Sequence, residues 1–69
     1  MSAPQIGTVT MFDQDRAIGV VTLDDGAEVE FHSTALSDRS RVVATGTRVA
    51  VEVVPWHSGS QHCREVVKL

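Results

Sequence analysis

The side chains in this 69-residue chain best suited to hold a metal are His57, His62 and Cys63, with His32 further away. A structural zinc site needs four ligands, usually in closely spaced pairs. Four residues separate His57 from His62, and the chain has only one cysteine, so no metal and no cofactor are expected. Asp24 and Asp25 are paired carboxylates, a type used in acid–base catalysis, but Gly26 follows them and the three together read as a turn. There is no serine–histidine–aspartate grouping with a supporting motif and no glycine-rich phosphate loop. An enzyme is therefore not expected, and the remaining chemistry is that of binding.

The charges bear on what could be bound. Six basic and nine acidic residues leave a net charge of −3, an overall field that opposes a polyanion. Arg39 and Arg41 lie in a polar run where they can touch phosphates or stand as solvated charges beside Asp38. Arg48 and Arg64 have Glu52 and Glu65 as prospective cross-strand partners. Trp56, after Pro55, either stacks on a ligand or folds back over an open end of the fold. One cysteine rules out a disulfide within the chain and suits a reducing compartment. Residues 1–5 lack the basic and apolar regions of a secretory signal, and no apolar run approaches the ~20 residues needed to cross a bilayer. A cytoplasmic protein without membrane contact is expected.

The elements that must position these groups are short strands. Valine dominates the apolar residues, and β-branched side chains favour strands. Apolar runs separated by turn signals predict five strands, at residues 6–12, 17–23, 28–33, 48–54 and 62–69. In the first, Ile6 and Val9 are expected in the core, and Gly7 signals a bulge or tight bend. In the second, Gly19, Val21 and Leu23 share one face and Ile18, Val20 and Thr22 the other. The third turns Val29 and Phe31 inward, and the fourth Val49, Val51 and Val53. The fifth offers Val66 or Val67 and Leu69 for burial. A short helical turn is expected at residues 34–36, and residues 1–5 are expected to be loosely attached. Five short strands, with one longer connection between the third and fourth, describe a single all-β domain. Its form is a small antiparallel Greek-key barrel of the OB type, with an SH3-like barrel as the alternative.

The residues also carry a resemblance. Gly7-Thr8-Val9-Thr10-Met11-Phe12-Asp13 resembles the opening strand of the bacterial cold-shock domain, Gly-Thr-Val-Lys-Trp-Phe-Asn. Arg16-Ala17-Ile18-Gly19-Val20-Val21 lies where that family has Lys-Gly-Phe-Gly-Phe-Ile. Val29-Glu30-Phe31-His32-Ser33 lies where it has Val-Phe-Val-His-Phe. The 46–53 segment resembles the family's Gly-Gln-Lys-Val-Ser-Phe-Glu-Val. The resemblance covers nearly the whole chain. It implies an OB barrel that binds single-stranded RNA or DNA by stacking bases on exposed aromatics.

Carried over position by position, the implied nucleic-acid site is Thr10, Met11, Phe12, Arg16, Ile18, Val20 and His32, with Trp56 as a replacement stacking residue. Departures from the motifs are numerous. Met11 replaces the tryptophan, Ile18 and Val20 the first pair of phenylalanines, Glu30 and Ser33 the second pair, and Thr10 the lysine. The resemblance is thus to a degenerate form of the family, for which binding is expected to be weak and of little sequence preference. The other reading is a protein partner, or a second copy of the chain, at the outer face of the first three strands. There Met11, Ile18 and Val20 form an apolar cluster.

Overall fold

The computed structural model describes residues 4–55 and 61–69. The expectations on Trp56 and His57 fall outside them. The strands are β1 (Gln5–Asp13), β2 (Ile18–Leu23), β3 (Glu28–His32), β4 (Arg48–Pro55) and β5 (Gln61–Lys68). A 3-10 turn at Ser33–Ala35 follows β3, where the helical turn was expected. The strands close into a barrel in the order β1-β2-β3-β5-β4. Every pairing is antiparallel except β3 with β5, which is parallel at Glu30 and His62. Closure lets a chain this short build a core without leaving long unpaired edges.

Strand alternation fills the interior. Val9, Val21, Val29, Phe31, Val49, Val51 and Val66 are fully buried, and Leu23, Leu36, Val43, Val53 and Cys63 join them. Burying each such side chain is worth about 1.5–3 kcal/mol. Ile6 was expected inside but is 37% exposed. Positions 6 and 9 differ in parity, so they share a face only if a bulge lies between them. The bulge instead follows Val9, at Thr10. Gly7 therefore has a different role from the one expected. A β-carbon there would lie 2.6 Å from Val21 Cγ1 and 2.7 Å from the Thr22 carbonyl, so β1 and β2 approach too closely for any side chain. Leu69 is likewise 71% exposed and Val67 39%, because alternation that turns Val66 inward turns both outward.

Local chemistry sets the turns. Asp13 Oδ1 accepts from the Asp15 and Arg16 amides at 3.0 and 3.2 Å, folding the β1–β2 connection. Gly26 holds φ 94° in the β2–β3 turn, as the Asp-Asp-Gly run predicted. Gly46 holds φ 91° before β4. There the Gly46 amide donates to the Val9 carbonyl at 2.7 Å, and the Val9 amide donates to the Thr47 carbonyl at 2.9 Å. The long β3–β4 connection is tied to the end of β5. Lys68 Nζ donates to Ser40 Oγ at 2.9 Å and to the Val42 carbonyl at 3.2 Å, and lies 3.1 Å from Asp38.

Candidate nucleic-acid interface

The outer face of β1–β3 is built of cross-strand rows. Thr8, Thr22 and Glu28 form the first, Met11, Val20 and Glu30 the second, and Asp13, Ile18 and His32 the third. The second row runs on to His62 of β5, whose Nε2 lies 3.9 Å from Glu30 Oε1. Met11 is 43% exposed, Ile18 and Val20 are half-buried, and Glu28, Glu30 and His32 are exposed. Met11, Ile18 and Val20 thus sit together on one surface, as the alternation of β2 required.

Thr10, at the bulge, is exposed, with its hydroxyl 3.0 Å from that of Thr22. Phe12 is placed differently from the open stacking ring that the motif implies. The register shift at Thr10 pairs it with Gly19 on the inward side. Its ring stacks on Phe31, with centroids 6.1 Å apart and planes at 20°. Gly19 makes room for this, since a β-carbon there would lie 2.4 Å from Phe31 Cζ. Phe12 is therefore half-buried and packs against the core.

His32 closes the third row. Its Nδ1 accepts from the Thr34 amide at 3.2 Å and lies 3.0 Å from the Thr34 hydroxyl, so one ring nitrogen is spent capping the 3-10 turn. The Arg16 side chain is 79% exposed, with Nε 3.9 Å from Asp13 Oδ2, a spacing that neutralises little in water. A groove of about 430 Å³ adjoins His32, lined also by Gln14, Ala17, Ser33, Thr34, Arg41 and Val42. A second, of about 310 Å³, lies on the other side of Thr34 and is lined by Arg39, Glu52, Arg64 and Glu65 among others.

Charge is unevenly spread over this region. Asp13, Glu28 and Glu30 place a carboxylate in every row. Arg48 binds Asp24 through two contacts of 2.8 and 3.0 Å, and these hold the Asp24 carboxyl below its ordinary range. The partner expected for Arg48 was a glutamate on its own sheet pair, whereas Arg64 does reach Glu52, at 3.4 Å. Asp38 accepts from the Ser40 amide at 3.0 Å and lies beside Lys68, which together pull its pKa down to about 2. Arg41 lines the groove beside His32, whereas Arg39 lines the second groove with Arg64, Glu52 and Glu65, and Arg16 stands beside Asp13.

The metal-type residues do not converge. Among the described residues no three histidine, cysteine or acidic side chains are close enough to hold an ion, and His57 lies outside them. Cys63 points into the core while its neighbour His62 faces the outer row. Cys63 is more buried than the half-buried position expected, and burial pushes its thiol up to about 11. No helix among these residues is long and apolar enough to cross a membrane.

No family model and no curated protein matches the chain. The solved structure of drosophila Unr CSD456 matches over 99% of this chain, with a TM-score of 0.81 and 20% sequence identity. This is a cold-shock-domain-like fold. The OB-type barrel expected from the strand pattern is the observed one. The chain spans 27% of that larger structure. At 20% identity the likeness concerns the path of the chain and leaves the chemistry of the outer face to its own residues.

Proposed function

We propose that this barrel binds single-stranded RNA or DNA weakly and with little sequence preference, on the outer face of β1–β3. It is a binding role without a catalytic step or cofactor, and the free Cys63 suits a reducing cytoplasm. The observation that carries the reading is the run of Met11, Val20, Ile18 and His32 across a cold-shock-type face, ending at a groove that holds Arg41. A thioether packs on aromatic faces for about 0.3–1.5 kcal/mol, and an imidazole offers a stacking ring. Aromatic stacking is worth ~1–3 kcal/mol per base, and isoleucine and valine have no π-face to supply it. Phe12 turned inward and a carboxylate in each row reduce affinity further. The test is fluorescence anisotropy of labelled oligothymidylate and oligouridylate at low salt. Saturable binding that weakens steeply with salt is expected. An unchanged signal at millimolar protein would refute the reading.

A second reading is favoured by one specific feature. Apolar Met11, Val20 and Ile18 alternate with Glu30 and Asp13 in a pattern suited to a protein surface rather than a polyanion. In that reading the face docks a protein or a second copy. Sedimentation of the protein at high concentration checks the self-association form, with Met11→Glu expected to abolish any dimer.

A further inference from the structure

A single strand lying on this face needs somewhere for its phosphates, and the strand rows offer carboxylates instead. The β3–β4 connection supplies what they lack. Arg39 and Arg41 are both exposed, and both hold left-handed backbone, at φ 60° and 64°. A β-carbon disfavours that conformation, and glycine would adopt it freely. Strained backbone retained at a non-glycine residue is a reason to look for function.

Asp38 stands next to these arginines in sequence, but its carboxylate is drawn away to the Ser40 amide and Lys68. Among the described residues neither guanidinium has a hydrogen-bond or ion-pair partner. Lys68 also holds Ser40 and the Val42 carbonyl, so the arginines stand on a loop pinned to β5. Arg41 lines the groove that contains His32, directly off the third row of the face. Arg39 lines the groove on the far side, and Thr34 borders both.

We propose that Arg41, with Arg39 beyond it, is the phosphate anchor of this barrel. It takes the phosphodiester of a strand whose bases lie over Met11, Val20 and Ile18. Guanidinium groups pair with phosphate oxygens bidentately, and each such contact releases condensed counterions. The inference rests on the nucleic-acid reading above, and goes beyond it in assigning the electrostatic part of binding to the loop rather than the strands.

The experiment is an anisotropy titration of labelled oligothymidylate over a series of salt concentrations, on the full chain. It compares the unmodified protein with Arg41→Gln, Arg39→Gln, the double substitution and Arg41→Gly. Each lost phosphate contact should make the log–log salt slope shallower by about 0.7 and weaken low-salt binding on the order of tenfold. Arg41→Gly should weaken binding as much as Arg41→Gln while the melting temperature holds or rises, which separates a lost contact from a damaged loop. Normal binding by the unmodified protein with unchanged slopes in the arginine variants would overturn the anchor and leave the nucleic-acid reading intact. No binding by the unmodified protein would overturn both.

Discussion

The two faces of β1–β3 come from one alternation and obey different constraints. Inward, Val9, Val21, Val29 and Phe31 are sealed from water and their volumes must fit one another. Gly7 and Gly19 mark where even one added carbon collides with a neighbour. Outward, Met11 and His32 are exposed and Ile18 and Val20 half-buried, so packing among the described residues constrains their size far less. A core answers to packing, which the chain itself supplies. A binding face answers to a partner outside the chain, so its residues are not dictated by the barrel beneath it.

That contrast can be broken or sharpened by substitution. The largest effect is expected at Phe31→Ala, about 3–5 kcal/mol in chemical denaturation, enough to threaten folding of so small a domain. Gly19→Ala follows, at about 1–3 kcal/mol, because its β-carbon would fall 2.4 Å from Phe31 Cζ. Met11→Lys on the opposite surface should stay within about 0.5 kcal/mol, and a cost like that of Gly19→Ala would mean the outer face is structural after all.

The next prediction adds function. Met11→Trp or Val20→Phe should strengthen oligonucleotide binding by about 1–3 kcal/mol for each base stacked, with stability little changed. Failure of both to tighten binding would mean that the face does not present bases at these positions. Glu30→Gln removes one carboxylate from the middle row and should tighten binding a few-fold at low salt, by about 1 kcal/mol or less. The gain should shrink at moderate salt as charges are screened.

The smallest effect concerns acid. Asp38 titrates near 2 in the folded barrel against an ordinary value of 3.8, held down first by the Ser40 amide and hydroxyl and then by Lys68. A depressed carboxyl stabilises the fold fully above its unfolded value, and that contribution is lost as pH falls from about 3.8 toward 2. Asp38→Asn should therefore flatten the acid limb of a stability–pH curve below pH 4 and lower stability slightly at neutral pH. An unchanged acid limb would mean that Asp38 is not held as described.

Most of the barrel was legible because valine alternation and turn residues are local signals. Val29 and Phe31, Val49, Val51 and Val53, and the turn at Gly26 all follow from neighbours a few positions away. Ile6 and Phe12 were not placed correctly. Ile6 faces out because no bulge separates it from Val9, and Phe12 turns inward because the bulge at Thr10, which no residue type there announces, reverses the facing of the side chains after it. The outer rows were legible in part, since parity alone gathers Ile18 and Val20. Met11 joins them only through the bulge. The charge arrangement was not legible. Lys68 reaches back to Asp38 and Ser40 across the molecule, and with the Ser40 amide it draws the Asp38 carboxylate away from Arg39 and Arg41. The same holds for Arg48, whose partner Asp24 belongs to a turn on the other side of β1.

The most direct test of the central claim is a chemical-shift titration of isotope-labelled protein with short oligothymidylate and oligouridylate, at low and then moderate salt. Binding on this face predicts shifts concentrated at Met11, Ile18, Val20, His32 and Arg41 that fade as salt rises. Shifts absent at low salt, or confined to the outer surface of β4 and β5, would contradict it.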